Sequence, residues 1–343
     1  MGDDFLFEWL TTKIKNLEIQ KKKISKILRS STINSSSLVE EGKFKKIDKK
    51  LITAIIGGVD SGTSVKYLSG IDIFFIKTVG VIYYLENGKL KRTKYITSKP
   101  LIEYSIINYQ LSEIDLEIFS NILRQIREVR MAIKLLEEND LNFLFLNGSI
   151  IPHYLEFTSR NEIIEKSKEE LYKCYQKLYE VSKQKRTILA GIIEDSRGRR
   201  FLDIALNIVK NEEDLKTLEE SRDITILDYV LESEERTPVF YYSDNIHIPN
   251  MKSFQSFYIK VAKFDIPLRV DFLAYENDFA DKISNILILL KTSEEYAIPS
   301  ILIEADLRAR LHKTEIENFY NFLIRKLGFI SSLKKRRRER RPF

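Results

Sequence analysis

Apolar positions near the start of the chain repeat with a helical period. Between residues 7 and 28 they recur every three or four positions, with one miss at Lys21. This spacing predicts a helix with a narrow apolar seam, which needs a partner. That partner is the protein's own core, a second copy of the chain or a different subunit. The seam consists of Phe7, Leu10, Ile14, Leu17, Ile24 and Leu28.

A serine-rich segment at 30–37 follows this helix and predicts a connector. It places a domain boundary near residue 45. We therefore expect an N-terminal helix and linker over 1–45, a main domain over 46–330 and a basic tail over 331–343.

The next part of the chain has the pattern of strands. An Ile- and Gly-rich run over 51–59 ends at Asp60, and 71–85 is β-branched and aromatic. The turn sequence "ENGK" (86–89) precedes a third run, so three antiparallel strands are expected.

Helical and strand patterns then alternate to the end of the chain. Helices are predicted over 116–138, 160–186, 278–292 and 301–327, and a buried strand ends at position 147. "TILAGIIEDSRGRRFLDIA" (187–205) predicts a strand, a loop and a helix. Further strands are expected in "PVFYYS", "FQSFYIKVAKF" and "PLRVDFLAY". This order indicates an α/β fold with a mixed sheet.

Composition narrows the class of protein. The chain has 343 residues, of which 43% are hydrophobic, and this is enough for a substantial core. Its one cysteine excludes a disulfide framework and its few cysteines and histidines exclude a thiolate zinc site. No segment has the roughly 20 apolar residues of a membrane helix. We expect a cytoplasmic protein without membrane contact.

The positive charge is concentrated at the C-terminus. The tail "KKRRRERR" (334–341) has seven basic residues and one acidic residue, which equals the net charge of +6 of the whole chain. A flexible basic tail is attracted to phosphate backbones, although it could also serve only solubility. The DNA-binding candidates in it are Lys334, Lys335, Arg336, Arg337 and Arg338.

Asp60 lies in "GVDSGTS", which has two interpretations. The motif resembles the first phosphate loop of the actin, Hsp70 and sugar-kinase superfamily. Those ATPases need a second Asp-x-Gly turn and a glycine-rich adenosine loop, and the later glycines of this chain are isolated. Alternatively, Asp60 is a metal ligand at the end of a strand. Glu128 in the middle of a helix and position 147 at the end of a strand would then be its partners.

The second interpretation becomes a family resemblance when more of the chain is compared. Six segments follow one another in the order found in NurA nucleases. They are "GVDSGTS", the helix with Glu128, "LFLNGS", "GIIEDSRGRR", "LESEERTPVFYYS" and "EEYAIPSILIEADLRARL". The chain resembles this family over roughly residues 50–311.

The resemblance implies an RNase H-like core and Mn²⁺- or Mg²⁺-dependent degradation of DNA ends. It also implies a homodimer that works with the HerA-type hexameric ATPase. Asp60 and Glu128 match the metal-binding carboxylates, and Tyr296 matches a tyrosine near the site. Asn147 stands where the family has its second Asp, and Glu304 where it has a His. A shift of one position would bring Asp306 to the site as a replacement metal ligand.

The segment at 191–200 also departs from the family, because Glu194 replaces a lysine. Arg197, Arg199 and Arg200 remain there as candidates for contacts with the DNA backbone. Three functions are therefore expected as alternatives. The first is a metal-dependent DNA nuclease. The second is a catalytically inactive NurA paralogue, whose binding partner is DNA, an active NurA nuclease or an ATPase, and the third is an actin-like ATPase.

Overall fold

The computed structural model describes residues 2–96, 102–107, 111–152, 161–243 and 254–337. Helices and strands alternate through them, which confirms the predicted α/β class with a mixed sheet. The helices are α1 (Gly2–Ser30), α2 (Glu113–Glu138), α3 (Glu162–Gln184), α4 (Arg200–Ala205), α5 (Glu212–Glu220), α6 (Asp223–Val230), α7 (Phe279–Leu289), α8 (Ser300–Ala309) and α9 (Lys313–Leu327). The strands are β1 (Lys45–Lys46), β2 (Ala54–Tyr67), β3 (Asp72–Glu86), β4 (Lys89–Tyr95), β5 (Ile102–Ile107), β6 (Phe143–Asn147), β7 (Ile188–Ile193), β8 (Glu235–Arg236), β9 (Phe240–Tyr241), β10 (Phe254–Lys260) and β11 (Leu268–Leu273).

The chain forms two compact units. The first unit comprises Met1–Leu51 and Ala190–Ser300, and the second comprises Ile52–Leu189 and Ile301–Phe343. These bounds differ from the predicted boundaries near residues 45 and 330. The N-terminal helix and its connector belong to the first unit, because Ile24, Leu28 and Ile33 are buried in that unit's core.

The sheet of the second unit is mixed. β2 pairs with β3 in antiparallel fashion and with β6 in parallel, while β4 and β5 both pair with β3. The three predicted antiparallel strands are therefore confirmed. The pairing of β2 with β3 runs without a break from Ala54 to Tyr67, so "DSGTS" lies inside a strand. The prediction that Asp60 ends its strand is wrong, and so is the phosphate-loop interpretation, since no loop is present there.

Side chains of β2 point alternately to two faces of this sheet. Thr63 Oγ1 lies 3.3 Å from Ser120 Oγ on α2, so the odd-numbered residues from 59 to 67 face α2. The even-numbered residues face α8 and α9. Lys66 Nζ donates to Glu317 on α9, and a Cβ built on Gly62 would meet the carbonyl oxygen of Ala309 at 2.3 Å.

Antiparallel strands in the order β1, β8, β10, β11 and β7 form the sheet of the first unit, and β9 also pairs with β10. The core beside this sheet is built from α1, α4, α5 and α6. Its buried residues include Ile24, Leu28, Phe201, Leu227, Phe240 and Tyr258.

The predicted seam of α1 is only partly covered. Ile24 and Leu28 have no exposed surface, so the partner of this end of the helix is the protein's own core. In contrast, Phe7 is 71% exposed and Ile14 is 51% exposed. The N-terminal half of the seam thus has no partner among the described residues of the chain.

Several elements differ from the sequence-based expectation. The predicted helix over 301–327 is two helices, α8 and α9, which are separated at residues 310–312. "PVFYYS" contributes only the two residues of β9. Helices α5 and α6 were missed, because α5 has a mostly charged sequence and buries only Asp214 and Leu218.

The start of the basic tail is docked, which corrects the expectation of a flexible segment from residue 334 onward. Lys335 pairs with Glu317, and Arg336 pairs with Asp72 at 2.8 Å. The carbonyl oxygen of Lys334 accepts the N–H of Ser69. Arg338 lies outside the described residues.

Asp223 gives the first unit a pH-dependent stability. Burial raises its pKa to about 6, although the N–H groups of Leu202 and Phe201 and the hydroxyl of Tyr258 donate to it. Because the folded pKa lies above the unfolded value, this contribution is complete at low pH and is lost as pH rises through about 6. We expect the wild type to lose stability relative to Asp223→Asn between pH 4 and 7. Urea unfolding at several pH values checks this, and parallel curves for the two proteins would contradict it.

Candidate metal centre

The site forms where β6 ends beside β2. Gly148 has a φ of 116°, in the region that favours glycine, and it turns the chain away immediately after Asn147. The last paired residues are Val59 and Leu146, so Asp60 and Asn147 lie at the end of the parallel ladder. Among the described residues, β2 has no further partner on this side. We call the resulting gap, lined by Asp60 and Asn147, the notch.

Asp60 is buried and well bonded. The N–H of Ser61 donates to its Oδ1 at 2.7 Å, and Nδ2 of Asn147 donates to its Oδ2 at 3.2 Å. Burial nevertheless raises the pKa of Asp60. The hydrogen bonds and Arg124 oppose this shift, and the charge of Asp306 adds to it. Asp60 therefore lies in a site that already contains a second negative charge.

Glu128 approaches Ser61 from α2, on the other face of β2 from the side chain of Asp60. Its Oε2 accepts the hydroxyl of Ser61 at 2.7 Å and Nη1 of Arg124 at 2.8 Å. Burial raises its pKa to about 7 against the attraction of Arg124, and the charge of Asp60 raises it further. Ser61 thus connects the two carboxylates, since its N–H binds Asp60 and its hydroxyl binds Glu128.

These donors suit a hard divalent cation in kind but are few in number. Mg²⁺ and Mn²⁺ take oxygen ligands. The candidates here are the carboxylate oxygens of Asp60, Glu128 and Asp306 and the amide oxygen of Asn147. However, no three acidic, histidine or cysteine side chains of the described part of the chain are grouped closely enough to hold a metal. As they lie in this structure, the described residues therefore do not form a complete site for such an ion, and an Asp at position 147 would add one carboxylate.

Glu304 and Asp306 have different surroundings on α8. Glu304 Oε1 accepts the hydroxyl of Tyr95 at 2.7 Å and Nε of Arg308 at 2.6 Å. Positions two apart on a helix point in different directions, and it is the charge of Asp306 that acts on Asp60. Glu304 is thus committed to an ion pair, and Asp306 also pairs with Arg310, at 3.8 Å, so the metal role of Asp306 stays a prediction.

Tyr296 belongs to the first unit, in the segment between α7 and α8. It is 48% exposed, and its N–H donates to Ser293 Oγ at 2.9 Å. Its assignment to the site stays a prediction.

The three arginines proposed for DNA contacts are not equivalent. Arg197 is exposed. Arg199 instead donates to the carbonyl oxygens of Leu218 and Ser221 at the end of α5, and Arg200 donates to the carbonyl oxygen of Tyr241. The last two hold the first unit together, so Arg197 is the arginine of this segment best placed to reach a ligand.

Two residues of the site were missed by the sequence analysis. Ser61 connects the carboxylates, and Arg124 supplies a positive charge within the site. The signal for Arg124 was present, because an Arg four positions before a Glu on a helix is placed to form an ion pair. No pattern in the sequence marked Ser61 as different from the other small residues of "DSGTS".

A carboxylate at the end of a parallel strand pair, with a helix carboxylate nearby, is an arrangement typical of metal-dependent nucleases with an RNase H-like core. The NurA domain matches residues 54–311, so the chain belongs to the NurA family. A comparison with curated proteins gave no match.

Solved structures show the same fold. The NurA nuclease from Sulfolobus solfataricus is 16% identical, with a TM-score of 0.62 over 94% of this chain and 96% of that chain. A NurA structure with manganese is 12% identical, with a TM-score of 0.56 over 92% and 98%. A third, bound to dAMP and manganese, is 11% identical, with a TM-score of 0.56 over 94% and 96%. The predicted family and RNase H-like α/β fold are thus confirmed. No helix among the described residues has the length and apolar character needed to cross a membrane.

Proposed function

We propose that this chain is a NurA-type DNA-end nuclease with a weakened metal site. The observation that carries the proposal is the arrangement at the notch, where Ser61 joins the carboxylates of Asp60 and Glu128. Asp60, Glu128 and Asp306 would hold Mn²⁺ or Mg²⁺, with the amide oxygen of Asn147 as a neutral ligand. Such a cation, when bound, activates water and stabilises the leaving oxygen of a phosphodiester.

The residues of the chain prepare this site before any ion binds. Ser61 fixes the orientation of both carboxylates through two short hydrogen bonds. Arg124 keeps part of the negative charge of the site neutralised, so that Glu128 can remain buried. A carboxylate with a pKa of about 7 is partly protonated near neutral pH, which further reduces the affinity for a cation.

One observation favours a second candidate, a catalytically inactive NurA paralogue that binds DNA or a nuclease or ATPase partner. Both carboxylates are already compensated by protein groups, Asp60 by the amide of Asn147 and Glu128 by Arg124. In this case the fold would be kept for binding, and the notch would hold no cation.

Cleavage of end-labelled DNA with and without Mn²⁺ tests the first candidate. We expect slow, Mn²⁺-dependent cleavage by the wild type and none by Asp60→Ala. Asp140→Ala is the matched control, because Asp140 is an exposed acidic residue of the same unit. Absence of cleavage by the wild type at every Mn²⁺ concentration would leave the inactive paralogue as the function.

The assembly that the family resemblance implies is also part of the proposal. We expect a homodimer that acts on DNA with a HerA-type hexameric ATPase. Light scattering of the full chain measures the first point, and co-purification with such an ATPase measures the second. A monomeric mass at micromolar concentration would rule out the dimer.

Arg197 is expected to contact the DNA backbone, in contrast to Arg199. Arg197→Ala should weaken binding about equally for all DNA sequences and reduce the slope of log affinity against log salt by about one. Arg199→Ala should lower the melting temperature and leave this slope unchanged, because Arg199 binds the carbonyl oxygens at the end of α5. Binding isotherms at several salt concentrations, with thermal melts, distinguish the two. An unchanged slope for Arg197→Ala would contradict the assignment.

A further inference from the structure

A cavity of about 560 Å³ opens in the second unit. It lies between the second half of β2 and the N-terminal part of α2, and Arg336 borders it. Cavities of roughly 300–1,000 Å³ are the usual size of small-molecule sites. We call this cavity the β2–α2 pocket.

The lining of the pocket combines apolar surface with hydrogen-bonding groups. Val65 and Leu116 supply apolar surface, and the hydroxyls of Thr63 and Ser120 lie together at 3.3 Å. Asn121 adds an amide. A ligand with a flat apolar body and a polar edge matches these groups.

One wall of the pocket is aromatic. The ring of Tyr67 lies there with the guanidinium of Arg336 stacked on it, 4.9 Å from the ring centre. Arginine planes and aromatic rings are the surfaces on which proteins stack unpaired bases.

The charge of the pocket excludes a phosphate as its occupant. Glu113 and Glu117 lie in its lining, and the one guanidinium there is already paired with Asp72. A phosphate would meet two carboxylates, whereas a neutral nucleobase would not be repelled. The pocket is therefore suited to the base of a nucleotide, with the backbone outside.

The position of the pocket links it to the metal centre. Thr63, Val65 and Tyr67 lie on the same face of β2 as Ser61, and Ser120 lies on the same helix as Glu128. Ser120 and Glu128 are eight positions apart, which corresponds to about 12 Å along a helix axis. The pocket thus lies on the α2 face of β2, the face from which Glu128 approaches, whereas the side chain of Asp60 points to the other face.

The basic tail starts at the border of the pocket. Leu333 is buried, Lys335 pairs with Glu317, and Arg336 is held by Asp72 and by the carbonyl oxygen of Leu68. The four arginines at 337, 338, 340 and 341 follow directly in the sequence. The described part of the tail thus forms one border of the pocket.

We propose that the β2–α2 pocket binds an unpaired nucleobase of a DNA strand end. The base stacks on Tyr67 and Arg336, and its polar edge contacts Ser120, Thr63 or Asn121. This inference rests on the proposed action on DNA ends, but it assigns a site outside the metal centre.

Binding of two octanucleotides without Mn²⁺ tests the pocket independently of cleavage. One is single-stranded DNA with all its bases, and the other is its fully abasic counterpart with the same phosphates. We expect the strand with bases to bind at least about fivefold tighter, as stacking of a base usually provides. Asn121→Trp, which fills the pocket, should remove this preference. Lys134→Trp is the control, since Lys134 is an exposed residue of the same helix outside the pocket.

A second measurement titrates uncharged deoxyadenosine and follows the methyl signals of Val65 and Leu116 by NMR. We expect shifts in the wild type and in Lys134→Trp, and none in Asn121→Trp. Equal affinity for the two octanucleotides, or a preference that survives in Asn121→Trp, overturns the proposal. If neither octanucleotide binds but deoxyadenosine shifts these signals, the proposed action on DNA fails and the base pocket stands. If deoxyadenosine also has no effect, the pocket is refuted.

Discussion

Asn147→Asp is expected to bind Mn²⁺ about tenfold or more tightly than the wild type and to cleave DNA faster. The substitution adds a fourth carboxylate to the three that we propose as ligands, Asp60, Glu128 and Asp306. A unit charge at 4 Å from another contributes about 4 kcal/mol at the effective dielectric of protein surfaces, and tenfold in affinity needs only about 1.4 kcal/mol. The added charge therefore outweighs the loss of a neutral amide ligand.

The same substitution should destabilise the protein when no cation is present. Asn147 Nδ2 donates a hydrogen bond to Asp60 Oδ2 at 3.2 Å, and a carboxylate would replace this donor by a like charge. The melting temperature of Asn147→Asp should thus lie below that of the wild type in EDTA and rise more steeply with Mn²⁺.

Calorimetric titration with Mn²⁺ and cleavage of end-labelled DNA measure these effects. Asn142→Asp is the control. Asn142 immediately precedes β6, so this substitution adds the same charge at the other end of that strand. An unchanged Mn²⁺ affinity in Asn147→Asp, or an equal gain in Asn142→Asp, would show that position 147 is not a ligand position. Activity that appears only in Asn147→Asp would identify the wild type as an inactive paralogue.

The parts of the fold that the sequence predicted well are those with a strong local pattern. The β-branched run over 71–85 and the "ENGK" turn predict a hairpin, and β3 and β4 form it. The end of β2 was misplaced, because Gly, Ser and Thr are typical of turns. Fourteen consecutive pairs with β3 keep this segment extended, and no local pattern reports such a partner.

Side-chain environments were less predictable than elements. Arg197 and Arg199 are two positions apart in one motif, yet one is exposed and the other binds carbonyl oxygens at the end of a helix. This difference depends on α5, because Arg199 binds the end of that helix. Tertiary packing stabilises α5, and the spacing of apolar residues in its sequence did not predict it. Glu128 likewise looks like a surface position in sequence, but its burial and its pairing with Arg124 follow from α2 lying on the sheet.

Arg236→Ala is expected to destabilise the first unit by about 2–3 kcal/mol, below the roughly 3–5 kcal/mol that is usual for breaking a fully buried ion pair, because its two carboxylate partners are about one-third exposed. Arg236 is only 1% exposed. Its guanidinium donates to both carboxylate oxygens of Glu40, to Asp281 at 2.8 Å and to the carbonyl oxygen of Thr237 at 2.9 Å. It also lies 5.8 Å from the ring centre of Phe257.

The partners of Arg236 stay in place when its guanidinium is removed, although Glu40 is 34% and Asp281 38% exposed, which lets water relieve part of the cost. Glu40 also accepts the N–H of Val239 at 2.8 Å, and Asp281 also pairs with Lys45. Both carboxylates are therefore held beside the empty position. Arg236→Lys should cost less than Arg236→Ala, since it keeps the charge and loses only the bidentate geometry.

Urea unfolding followed by circular dichroism measures this series. Lys43→Ala is the control, because the ion pair of Lys43 with Glu41 is exposed in the same unit and exposed pairs contribute about 0–1 kcal/mol. Equal losses for Arg236→Ala and Lys43→Ala would show that the network around Arg236 does not stabilise the fold. The expected order, with Arg236→Lys between them, would instead show that this arginine joins the connector after α1 to β8 and α7.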